Sequence, residues 1–209
     1  MQEALLKYVK VFPQNKDQAA QLASSNCIVG NKFKLHFDIQ KRSITVENKF
    51  GYLVGAIDED AFSEIVLQKN KGYKIQAILK EVFFTTSGKG KHWAKFLIAA
   101  YSPRNEECFE NYIENLKNKL EKGLEPDISL DEYEFNKIIE SNGAWQSKKH
   151  IKKEKLPPNT AIIKNKVRFI EKIIEAGRQK KIGCYVISIL FLLAVAVLIF
   201  WIIKTLVGF

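Results

Sequence analysis

The residues of this 209-residue chain best suited to chemistry are three histidines, three cysteines and one carboxylate cluster. Their spacing joins none of them into a site. His36, His92 and His150 lie far apart, and none has a Cys, Asp or Glu at a metal-ligand interval. Cys27, Cys108 and Cys184 are odd in number and widely separated, which fits a reducing compartment. Asp58-Glu59-Asp60 suits the positive start of a helix. The stretch Ser87–Lys91 (SGKGK) is phosphate-like, but a Walker loop needs two glycines five residues apart and then Lys and Ser/Thr at a helix start. Here strand-like sequence flanks the loop, so it reads as a hairpin turn. No G-x-S-x-G elbow is present. These residues predict no catalytic centre, no metal and no cofactor. An enzyme of this sequence would need a site assembled only in space.

Charge is more informative. Residues 1–147 carry twenty basic and twenty acidic side chains, whereas 148–181 carry twelve basic against three acidic. Of the excess of +10, +9 thus lies in one connector and the rest at Lys204. Beyond it, Gly183–Ile203 is 21 residues long without a charge. At about 1.5 Å rise per residue, a helix of that length covers roughly 31 Å, close to a hydrocarbon core of about 30 Å. The sequence therefore predicts a single-pass, tail-anchored membrane protein with a transmembrane helix over 182–204. By the excess of positive charge before the span, its head faces the cytoplasm. On this reading Lys172, Arg178, Lys180 and Lys181 meet anionic headgroups of the bilayer, and Cys184 is a candidate for acylation.

The elements that must position anything else are legible from periodicity. Leu5, Leu6, Val9 and Phe12 are at helical spacing, which predicts a helix over 3–12. Residues 16–24 predict a second. Alternation predicts strands at Lys32–Ile39, around Ile44 and Val46, and at Phe50–Ile57. A helix from Asp58 follows, then a long hairpin of Tyr73–Thr86 with Trp93–Tyr101. Two more helices follow, one opened by Ser102-Pro103 and one by a capping box at Ser129–Glu132. Residues 148–160 read as a basic linker. Residues 161–181 read as an amphipathic basic helix whose Ile163, Val167, Ile170 and Ile174 offer a homodimer seam over 163–174. The fold class is α+β: a small antiparallel sheet or partly closed β-barrel with flanking helices, making a 1–147 head, then a helical stalk and the C-terminal span.

The order of elements at 29–82, and the steps Phe37-Asp38, Ile44/Val46 and Phe50-Gly51-Tyr52, resemble a HIRAN domain, whose core would extend over 29–102. The chain departs from that pattern where Leu35-His36 replaces Asn-Pro, and in a longer step from Asp38 to Ile44. The resemblance implies a small β-barrel with a helix. It also implies binding of single-stranded or 3′-ended DNA, with Phe37, Asp38 and Tyr52 as the nucleic-acid-binding residues. Three functions follow as expectations: a non-enzymatic binding or scaffold module for a partner protein or ligand, a DNA-binding HIRAN-like head, and a membrane-active effector of a defence or toxin system.

Overall fold

The computed structural model describes residues 3–86, 91–147, 155–178, 189–195, 197–199 and 201. The chain forms two compact units, Met1–Val167 and Arg168–Phe209.

The first unit is a closed antiparallel β-barrel with helices. Its strands are β1 (Ala4–Phe12), β2 (Lys32–Asp38), β3 (Ser43–Glu47), β4 (Leu53–Ile57), β5 (Lys74–Thr85) and β6 (Lys91–Tyr101). They run in the order β2-β3-β4-β1-β6-β5, and β2 returns to β5 through Lys32↔Ile78 and Phe33↔Ala77. The barrel is therefore closed, not partly closed. A seventh strand, β7 (Thr160–Lys164), pairs with the other half of the same β5 edge, from Val82 to Thr85.

Val9, Val11, Phe33, Ile44, Val46, Leu79, Val82, Phe96 and Ile98 form one buried cluster. Leu22 of α1 (Lys16–Ala23) and Phe62 and Ile65 of α2 (Glu59–Asn70) complete it. The opposite face of β1, β6 and β5 holds a second cluster. There Leu6, Leu97, Ala99, Tyr101 and Ile78 meet α3 (Glu106–Glu121) and α4 (Glu132–Glu140). The stripe Phe109, Tyr112, Ile113, Leu116 and Leu120 of α3 is fully covered, about 2 kcal/mol per side chain before ordering entropy.

One glycine permits closure. Gly55 has φ +154°, and a Cβ there would lie 2.7 Å from the carbonyl oxygen of Phe12. Strand β4 can approach β1 this closely only without a side chain at that point.

Several expectations are corrected. Residues 4–12 are a strand, because both of its faces are covered and its apolar residues do not alternate cleanly. The helix over 161–181 is instead β7 followed by α5 (Phe169–Arg178). Thr160, Ile162 and Ile163 are β-branched, and the vacant half of the β5 edge takes them as a strand. Ile163 and Val167 then pack on the barrel unit's two clusters, so the 163–174 stripe is not one helix face. The capping box is Asp131 with Glu134, not Ser129 with Glu132.

The transmembrane helix is corrected as well. Among the described residues no helix is long and apolar enough to cross a membrane. The membrane, tail-anchored and single-pass readings built on that span are overturned with it. Lys180, Lys181 and Cys184 lie outside the described residues, as does most of the Ser87–Lys91 turn. Lys172 and Arg178 are exposed on α5.

Candidate functional site

Partner residues on antiparallel strands share a face. The pairs Tyr8↔Leu97 and Lys10↔Lys95 on β1 and β6, with Phe83↔Trp93 on β5 and β6, therefore continue the outer face beyond the end of α3. The face changes character along its length. Leu6, Leu97 and Ile78 are apolar and lie under helices, whereas Lys10, Lys80, Lys95 and Trp93 line an open groove of about 230 Å³. A bulge makes part of this change. The β5 register shifts between Leu79 and Glu81, leaving Lys80 without a direct partner on β6. Both Lys80 and Glu81 consequently line the groove.

Its floor is aromatic. Trp93 stacks on Phe83 with centroids 4.0 Å apart and 12° between planes, and Phe12 stacks beside it at 6.4 Å. The indole Nε1 donates to Thr85 Oγ1 at 3.3 Å, fixing the ring's orientation. The Lys10 ammonium stands 5.9 Å from the Trp93 centroid. Its deep end is ionic. The Lys80 ammonium, 3% exposed, donates to Glu125 and lies 3.2 Å from Glu81 Oε2. Lys95 Nζ is 3.9 Å from Glu125 Oε1. Both ammonium groups stand over the Tyr8 ring, at 4.8 Å and 5.4 Å. Burial pushes the Tyr8 phenol well above its ordinary range, and the nearby Glu125 and Glu81 charges push it further. It therefore stays a neutral donor, to the Pro126 carbonyl at 3.1 Å. The remaining wall comes from Leu156, Pro157 and Ile162 of the segment that carries β7, with Lys155 and Asn165 beside them.

Chemically this is a surface that holds a planar group against a ring and an anion against ammonium groups. At about 230 Å³ it takes one ring-sized group rather than a drug-sized molecule. A larger hollow of about 470 Å³ lies between Glu3, Ala4 and the start of α4. Two of its acids are already engaged: Glu3 accepts from Asn105 Nδ2, and Asp131 caps α4. Among the described residues no group of three His, Cys, Asp or Glu could hold a metal ion.

The three residues carried over from the HIRAN resemblance are not brought together. Phe37 is half-buried opposite Ile44, with the Lys69 ammonium 3.9 Å from its ring. Asp38 closes a turn. The Lys41 backbone N–H donates to its carboxylate at 3.0 Å and, with the Lys41 ammonium, holds it below the usual carboxylate range. Tyr52 is exposed beyond the far end of β3, where its N–H donates to Asn48 Oδ1 at 3.0 Å. Ile44 to Asn48 alone is about 13 Å of chain at about 3.3 Å per residue. His36 Nε2 is 2.9 Å from Glu47 Oε2 on the exposed face, and His92 sits against Phe84.

The groove residues were missed from sequence, yet a signal existed. The adjacent charges Lys80-Glu81 break the alternation of β5, Lys95 stands beside the apolar stretch of β6, and charge inside a covered strand marks a compensated polar site. Compared with family models, with curated proteins and with solved structures, the chain matches none of them.

Proposed function

We propose that the barrel unit is a non-enzymatic binding module whose ligand is single-stranded nucleic acid, taken at the Trp93 groove. The observation that carries this reading is the aromatic floor of Trp93 on Phe83, lined as well by Lys10 and Lys155. Every base has a face that stacks, and each base–aromatic contact contributes about 1–3 kcal/mol. Lys10 stands where a base would lie, and its ammonium moves onto the adjoining phosphate when the base enters.

Charge supports the same ligand. The basic connector was assigned to a bilayer only because a span was expected after it. An excess of +9 over 148–181 also suits a polyanion, a class of partner that positive charge ordinarily meets. Part of this segment, 155–165, lines the groove. The closed barrel also supports the HIRAN-like reading of the head, with the ligand moved from Phe37 and Tyr52 to Trp93.

Fluorescence anisotropy with labelled (dT)12 at about 50 mM salt tests the proposal. The full chain should bind, and Trp93→Ala should weaken binding by about tenfold. Removing the charge of Lys10 should flatten the slope of log K against log salt by about 0.7. An affinity untouched by either change would end the proposal.

A second reading, a protein partner, is favoured by one feature. Phe50, Tyr52 and Leu53 are exposed together at the tip between β3 and β4, and the Asn48 side chain pins the turn. A photo-crosslinker at position 52 that captures no protein in cells would remove it.

A further inference from the structure

The segment from Lys155 to Val167 reads as a link in the sequence, but it forms a wall of the groove. Leu156 and Pro157 line it together with Trp93 and Phe83, and Ile162 is the cross-strand partner of Phe83. The wall is a short strand paired on one edge only, from Thr160 to Lys164. Four backbone pairs with a register shift give such a strand limited hold of its own. Its other attachments therefore decide where it sits.

The strongest of these is Lys164. Its side chain leaves the strand and runs under the loop after α1, where the ammonium donates to the carbonyl of Ser24 and, at 2.9 Å, to that of Cys27. Ser24 is the C-cap of α1, and Cys27 lies in the loop three residues beyond it. Lys164 is 9% exposed, and an ammonium that is dry and doubly bonded is costly to withdraw. Thr86 N–H to Asn159 O at 2.9 Å and the paired hydroxyls of Thr85 and Thr160 at 3.2 Å hold the strand's other end.

We infer that Lys164 is a positioning residue for the groove: by clamping β7 to the α1 C-terminus it sets the wall that Leu156, Pro157 and Ile162 present to the ligand. It does not touch the ligand itself. Where it concerns ligand affinity, this rests on the reading of the groove as the binding site. Ligand occupancy and docking of β7 are then coupled. A ligand that fills the groove protects the amides of 160–164 from exchange, and a loosened strand binds more weakly.

The test uses the full chain, with Cys108 and Cys184 replaced by Ser, and (dT)12 as the probe. Lys164→Met should weaken (dT)12 binding about fivefold and speed amide exchange over 160–164. A disulfide between Phe84→Cys and Ala161→Cys, direct strand partners that do not line the groove, added to Lys164→Met, should restore affinity when oxidised and lose it again when reduced. Rescue in the absence of the Lys164 charge separates positioning from a direct phosphate contact. A ligand-free readout runs in parallel. With Trp145 and Trp201 changed to Phe, acrylamide quenching of Trp93 should rise in Lys164→Met and fall back on oxidation. Unchanged affinity or unchanged quenching in Lys164→Met, or loss without rescue, overturns the inference. If Trp93→Ala leaves binding intact while the quenching pattern holds, the groove reading fails and the clamp stands.

Discussion

Lys80 places an ammonium group where water barely reaches, and it is tolerable there because Glu125 and Glu81 face it and the Tyr8 ring lies over it. Removing one member of such a set leaves carboxylates buried without their nearest counter-charge. Lys80→Met should therefore lower unfolding stability by about 3 kcal/mol, and Lys80→Met with Glu125→Leu should recover a large part of that, both read by urea denaturation. A single change as mild as the double one would show that the pair is not desolvated. Cys27 is the opposite case, a buried group without catalytic use. Burial pushes its thiol up to about 11, although Lys164 and a hydrogen bond with Asn48 pull the other way. At pH 8 iodoacetamide should therefore label Cys108, whose side chain is partly exposed, and leave Cys27 untouched until the chain unfolds. Peptide mass spectrometry distinguishes the two, and equal labelling would contradict the burial. From the sequence, Lys80 was only a polar step in an alternating strand. The bulge that turns it into the groove is a property of two strands in register, which one strand's sequence signals only through the adjacent charges Lys80-Glu81.

At the scale of elements, long periodic segments were legible and short ones were not. The β5–β6 hairpin and the Phe109–Leu120 stripe of α3 fall where their patterns place them, because each is long enough to average over exceptions. Strand β1 reads as a helix because Leu5, Leu6 and Val9 are all buried, on two different faces. Strand β7 reads as helix because its pairing partner lies far away in sequence, at Val82–Thr85. The helix α4 starts at Asp131 rather than Ser129 although both precede a glutamate by three residues. Leu130 and Phe135 decide the matter, since both pack on the second cluster as a hydrophobic staple around Asp131 requires. Closure of the barrel depends on Gly55. Gly55→Ala forces a Cβ against the Phe12 carbonyl at a φ that side chains rarely adopt, and should cost about 2 kcal/mol or more in thermal or urea unfolding. A neutral effect would mean that β4 and β1 do not approach as closely as described.

For the whole molecule, charge is legible in the sequence, as a balanced 1–147 and a basic 148–181. A +9 segment before an apolar run suggests a bilayer, but part of that segment, Thr160–Lys164, pairs with the barrel as β7. The pH response of the barrel unit follows from its helix anchors. Burial works against ionisation of Glu110, but hydrogen bonds from Lys32, Tyr101 and Gln76 outweigh it and hold the carboxyl below its ordinary range. A carboxyl lowered in the folded state stabilises above its unfolded value, 4.5, and that contribution is lost as pH falls through the folded value. Stability should thus decline below about pH 4.5, less steeply in Glu110→Gln, as an acid titration of the unfolding midpoint would read. The most direct test of the account is the place where nucleic acid touches the chain. Oligo(dT) carrying 5-bromodeoxyuridine, irradiated with the full protein and digested, should yield its main cross-link on the peptide that contains Trp93. Cross-links confined to Phe37 or Tyr52, or none at about 50 mM salt, would contradict it.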